Sequence, residues 1–112
     1  MTITVRAEVR VLPGKREAFI DVAMALAEAT SDEVGTLRYD WYSCEDPTVF
    51  VVIEEYTNAD AAMAHNQHCE AFLRGLAELA DMTSAHLHGC LGPELEEWVA
   101  QRSFAHAHPP LR

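Results

Sequence analysis

The segment EEYTNADAAMAHNQ, residues 54–67, sets a carboxylate, a phenol and an imidazole within one strand-to-helix passage. Glu54 and Tyr56 follow directly on the apolar run VFVVI, and His65 falls on the helix that comes next. An imidazole accepts a proton near neutral pH, and a carboxylate beside it can orient the ring or stabilise the imidazolium that forms. These three residues therefore suit general-base chemistry. The competing reading makes His65 a core histidine bonded to a backbone carbonyl and Glu54 a partly buried carboxylate bonded to it. Sequence leaves both open.

Other residues with chemical potential point less clearly. His86 and His88 stand two apart and His65 and His68 three apart, so either pair offers two nitrogens on one side of a strand or helix. No third ligand is set by spacing, and a two-histidine strand pair reads first as a polar sheet face, so no metal is expected. His106 and His108, in FAHAHPPLR, lie in a tail that reads as mobile. Cys44, Cys69 and Cys90 match no zinc or CxxC spacing and are read as reduced thiols filling small apolar spaces. The five glycines form no phosphate-cradling loop, so no nucleotide cofactor has a visible place.

What must position His65 is a strand and helix alternation. In residues 2–12, Ile3, Val5, Ala7, Val9 and Val11 share one face and Thr2, Thr4, Arg6, Glu8 and Arg10 the other, as in a strand with one face in a core. From Lys15 to about Thr30, Phe19, Val22, Ala23, Leu26 and Ala29 recur at helical spacing. TLRYDWYSCE and residues 48–56 are two strands of a hairpin closed by DPT, with Leu37, Tyr39 and Trp41 on one face. Asn58 suits an N-cap, and a helix runs to about Asp81, with a break near Gln67 to Cys69. Residues 82–91 make a fourth strand. The order β-α-β-β-α-β predicts an α+β, ferredoxin-like fold, with two helices on one face of a four-stranded antiparallel sheet. If the second helix is continuous, Ala62, His65, Cys69, Phe72, Leu76 and Leu79 form one stripe, and His65 points at the sheet.

At 112 residues the chain fits one domain, and a net charge of −10 opposes binding to nucleic acid and anionic membranes. No apolar run is long enough to span a bilayer, and the N-terminus lacks the core of a signal peptide, so a cytoplasmic protein is expected. The third strand, TVFVVIEEY, is apolar on both faces, yet two helices cover only one. A second copy of the chain is the economical cover, with Val51 on the buried side and Arg6, Glu8 and Arg10 paired across strands or with the partner.

The hairpin TLRYDWYSCEDPTVFVVIEEY followed by TNADAAMAH resembles the antibiotic biosynthesis monooxygenase domain of the dimeric α/β-barrel superfamily, over roughly residues 2–91. Tyr56 stands where tryptophan is common in that family. The resemblance implies a homodimer that oxidises a small aromatic, quinol or polyketide-type substrate with O₂, without metal or flavin. Haem is not implied, because haem-degrading relatives carry an asparagine on the first strand and here only Asn58 and Asn66 occur. His65 is the implied general base with Glu54 as its carboxylate, and the strand faces add Tyr39, Trp41 and Tyr56, and the helical stripe Phe72, as the expected substrate contacts. An isomerase or lyase using the same base, or a non-catalytic stress-response dimer, are the alternatives within the fold. Residues 1–91 form the implied domain and 92–112 an extension, with a short helix starting near Pro93.

Overall fold

The computed structural model describes all 112 residues. In chain order the elements are β1 (Ile3–Val11), α1 (Arg16–Thr30), β2 (Thr36–Ser43), β3 (Val49–Tyr56), α2 (Ala59–His68), α3 (Glu70–Leu79), β4 (Ala80–His88), α4 (Gly92–Ala100) and β5 (Ala105–His108). The β-α-β-β-α-β order holds, and the fold is α+β and ferredoxin-like. One correction applies to the sheet. It has five strands in the order β2-β3-β1-β4-β5 and is mixed, because β5 pairs with β4 in parallel. The residues expected as a mobile tail thus supply an edge strand. A parallel partner requires a crossover connection of a dozen or more residues, and the segment 89–104, containing α4, provides it.

Register fixes the faces. Val5 pairs with Glu54, Ala7 with Val52 and Val9 with Phe50, while Tyr39 pairs with Glu54 and Trp41 with Val52. All of these side chains share the helix-covered face, because alternate residues on a strand point the same way. Beneath α2 and α4 they join a core around Ile3, Tyr56, Ala62, Leu87 and Leu95. Beneath α1 they join a second around Val9, Phe19, Phe50 and Ala80, in which Phe19 meets Trp41 edge-on at 5.4 Å and stacks on Phe50 at 5.1 Å. Leu37 does not continue the Tyr39 and Trp41 row. The pairing of β2 with β3 shifts between Thr36 and Arg38, and the shift leaves Leu37 57% exposed.

The opposite face carries an apolar centre within a charged surround. Val49 and Val51 are already 8% and 7% exposed in the single chain, and Val51 is flanked in register by Glu8 and Tyr42. Arg10 pairs with Asp46 at 3.2 Å, Arg38 with Asp40 at 2.8 Å, and Glu8 accepts from Thr83 at 3.0 Å. The polar row of β1 is thus partly satisfied within the chain.

The helix expected from Asn58 to about Asp81 is two, α2 and α3, parted where a break is expected near Gln67 to Cys69. Asn58 caps α2 by accepting the amide of Ala61 at 2.8 Å. The path then breaks at Cys69 (φ −101°, ψ 15°), and α3 sets off afresh. Gly35, in the α1–β2 loop, lies hard against α2: a Cβ there would fall 2.5 Å from that of Ala61. Only a residue without a side chain lets the loop approach so closely.

Candidate active site

His65 points at the sheet, as its place on the stripe predicts, and is 2% exposed. Its ring lies 5.1 Å from that of Tyr39 and 5.4 Å from that of Tyr56. The three rings line one end of a cavity of about 440 Å³ between sheet and helices, whose wall is 19 hydrophobic residues out of 23. Trp41 and Glu54 also line it, so five of the six residues singled out in the sequence converge there. Phe72 does not. The break at Cys69 shifts the stripe, so Phe72 turns to solvent at 36% exposure and Leu73 lines the cavity in its place, beside Leu76 of the stripe.

The carboxylate on His65 is a residue that sequence reasoning missed. Glu33, in the loop carried against α2 by Gly35, bonds His65 Nδ1 through Oε1 at 2.9 Å and His68 Nδ1 through Oε2 at 2.6 Å. The same two oxygens accept Thr36 Oγ1 at 2.7 Å and Cys69 Sγ at 3.2 Å. Burial alone would raise the pKa of this carboxyl, but the hydrogen bonds from Thr36, His68, His65 and Cys69 together outweigh it and bring the group down to about 2. A carboxylate so low is ionised and can only accept. The proton between it and His65 therefore sits on Nδ1, which leaves Nε2 as the ring nitrogen not engaged by Glu33. Thirty-two residues separate Glu33 from His65, and nothing in SDEVGT distinguishes this acid from any other in a loop.

Glu54, expected beside His65, instead accepts the hydroxyl of Tyr56, two residues along the same strand face. Burial raises its pKa, against the lowering effect of Tyr56 and His65. Burial, then the charge of Glu54, likewise pushes the phenols of Tyr39 and Tyr56 upward, so both remain protonated donors. Cys69 is 0% exposed, and burial together with Glu33 pushes its thiol up to about 12, which makes it a donor to the carboxylate and a poor nucleophile. The indole Nε1 of Trp41 is buried without a partner.

Residues of α4 and the turn after it complete the wall. Leu95, Trp98 and Arg102 all line the cavity. Arg102 donates to the carbonyl of Trp98 at 3.0 Å and lies over its ring at 4.3 Å. It forms no ion pair with any carboxylate and is the one Arg or Lys side chain of the lining.

Glu33, His65 and Cys69 also bring one potential ligand atom each within 4.8 Å of one another. The four bonds that converge on Glu33 use those atoms for proton sharing.

Comparison with known proteins bears on this geometry. YcnE of Bacillus subtilis (strain 168), provisionally named a monooxygenase, is 30% identical over 80 residues, which cover 69% of this chain and 84% of YcnE. Among solved structures, MupZ from Pseudomonas fluorescens superposes with a TM-score of 0.79 at 21% identity, over 99% of this chain and 91% of MupZ, a likeness of fold alone. A protein of Nitrosomonas europaea, provisionally described as an antibiotic biosynthesis monooxygenase, superposes with a TM-score of 0.71 at 26% identity, over 82% of this chain and 92% of its own. The family model for antibiotic biosynthesis monooxygenase matches residues 2–75, from β1 into α3 and through the whole of the Glu33–His65 arrangement, and the chain belongs to that family.

Proposed function

We propose that this protein oxidises a small planar phenol, quinol or polyketide-type aromatic with O₂, with neither metal nor flavin taking part, and that His65 is the general base. The observation that carries this reading is His65 buried between two aromatic rings at an apolar cavity, its Nδ1 on an ionised carboxylate and its Nε2 left without a protein partner. Family membership and the relatives provisionally named as monooxygenases supply the reaction class.

The chemistry follows from the anion. A phenolate gives an electron to O₂ far more readily than a phenol does, so removing one proton is the indispensable step. His65 Nε2 takes the hydroxyl proton of the bound quinol, and Glu33 holds the resulting imidazolium through Nδ1. Electron transfer from the phenolate and recombination at a ring carbon form a carbon–oxygen bond. Cleavage of the O–O bond then leaves a hydroxyquinone and one water, so that quinol and O₂ balance with hydroxyquinone and H₂O. Tyr39, Trp41 and Tyr56 hold the ring, Glu54 receives a substrate hydroxyl, Arg102 favours the anionic form, and the apolar wall keeps water from the radical pair. The protein works as a cytoplasmic homodimer joined through the open sheet face.

Oxygen uptake with a panel of hydroquinones and anthrones tests the reading. Stoichiometric O₂ consumption that persists after exhaustive chelation and fails in His65→Phe is expected; turnover of a substrate by isomerisation without O₂ would overturn it.

A further inference from the structure

The floor of the cavity is a register row that crosses the sheet. Trp41 pairs with Val52, Val52 with Ala7, Ala7 with Ala85 and Ala85 with Ala105, so the row falls from an indole to three alanines. Ala7 and Ala85 line the cavity. Low side chains there leave room above β1 and β4 for a flat ligand lying across the strands. The two ends of the row differ in chemistry. Tyr39, Tyr56 and His65 stand at the β2–β3 end. Trp98 and Arg102, from α4 and the turn that leads into β5, stand at the other, and the carbonyl of Arg102 accepts the amide of Ala105 at 3.2 Å. With neighbouring strands about 4.8 Å apart, the β3 and β4 rows lie roughly 10 Å from one another, more than a single benzene ring spans.

Arg102 is a cation without a counter-ion in an acidic chain. Arg10, Arg16, Arg38 and Arg74 each lie within 4.0 Å of a carboxylate, and Arg102 does not, although the chain has 18 acidic residues against 8 basic. Trp98 holds its guanidinium in place, with the ring 4.3 Å away and the carbonyl taking one N–H. That bond leaves the rest of the planar fork open. A half-buried guanidinium against an apolar wall is best satisfied by a carboxylate, which meets it with two parallel hydrogen bonds.

We propose that the ligand of this cavity is a fused-ring aromatic acid, with its carboxylate on Arg102, its rings over Ala7 and Ala85 and its phenolic edge at His65. This rests on the proposed oxidation of an aromatic substrate and goes further by assigning the substrate's length, charge and direction. The opposite direction would bring the acid toward Glu33, which is ionised and bonded to His65, so repulsion opposes it. Arg102 is a positioning residue: it holds the ring with the reacting hydroxyl toward His65, and no bond is made or broken at the guanidinium. A single-ring quinol reaches one end of the row and forfeits the other.

An anthraquinone carboxylate and the matching carboxamide, already oxidised and so inert to O₂, test this when titrated by quenching of tryptophan fluorescence. Expected is a preference for the acid of about 10- to 100-fold, the worth of a charge-assisted pair, lost in Arg102→Gln and partly kept in Arg102→Lys. Equal affinity of the unmodified protein for acid and amide would overturn the proposal without any variant having to fold, as would a preference that survives Arg102→Gln. Oxygen uptake with the corresponding anthrone acid and amide separates this proposal from the oxidation it rests on: the acid should have the lower KM at similar kcat. Binding of the acid through Arg102 with no oxygen uptake would uphold the anchor and remove the oxidation; uptake from acid and amide with equal kcat/KM would do the reverse.

Discussion

His65 and Glu33 act as one unit, and their substitutions separate chemistry from structure. His65→Phe keeps a ring of similar size among Tyr39 and Tyr56 but removes both nitrogens. Loss of a positioned base costs about 10² to 10⁴ in rate, so kcat should fall by that order with little change in KM, measured by oxygen uptake. The deficit should narrow at high pH, where substrate loses its proton to solvent. A rate close to the original would remove His65 from the mechanism. Glu33→Gln keeps the shape of the acceptor but not its charge. Since Glu54 bonds Tyr56 rather than His65, Glu33→Gln should harm kcat more than Glu54→Gln, reversing the order of importance that chain proximity suggests. Glu33 also makes stability depend on pH in a definite sense. Its carboxyl is held at about 2 in the fold against 4.5 when unperturbed, so the unfolded chain binds more protons in this range and stability falls with acidification. The contribution is complete above about pH 4.5 and is lost as pH drops toward 2. Denaturant midpoints across that window should show a decline, of order 2 kcal/mol, that Glu33→Gln abolishes; parallel curves for the two proteins would refute the assignment.

Among the elements, the α1–β2 loop and the break between α2 and α3 carry the site. Gly35 admits no Cβ without a clash against Ala61, and its carbonyl accepts the amide of Thr57 at 2.9 Å. Gly35→Ala should push the loop off α2, lengthen the Glu33–His65 contact and lower kcat while the sheet stays intact. Proton NMR of the His65 ring would follow the contact, and an unchanged Nδ1–H signal would show that the loop had absorbed the change. The break at Cys69 has a related effect. It turns the side chain of Cys69 onto Glu33 and rotates α3, so that Leu73 rather than Phe72 joins Leu76 at the cavity. A helical stripe read across that point mixes two helices, which is why Phe72 looked like a substrate contact.

For the molecule as a whole, the proposed dimer is the open test. Val49 and Val51 already lie below one-tenth exposure in the single chain, and charged residues surround them, so a sheet-to-sheet contact here would join a small apolar centre to a polar rim. Light scattering at micromolar concentration should give a dimer, and Val51→Asp should weaken dimer and fold together, because the new charge would be buried in either state. A stable monomer would sink the dimer proposal and leave the active-site reading standing. Local sequence determined the β-α-β-β-α-β order, the inward face of those strands apart from Leu37, the Asn58 cap and the inward aim of His65, because alternation, helical spacing and cap chemistry act over a few residues. It also sufficed to gather Tyr39, Trp41, Glu54 and Tyr56 at one place, since the hairpin register links them. Only the tertiary structure decided which carboxylate His65 meets, that a four-residue strand at the C-terminus extends the sheet, and that four histidines from β4 and β5 share one surface. Those outcomes depend on loop closure and parallel pairing between residues some 20 to 40 positions apart, and no periodicity along the chain records a contact whose register is set by the packing of everything between.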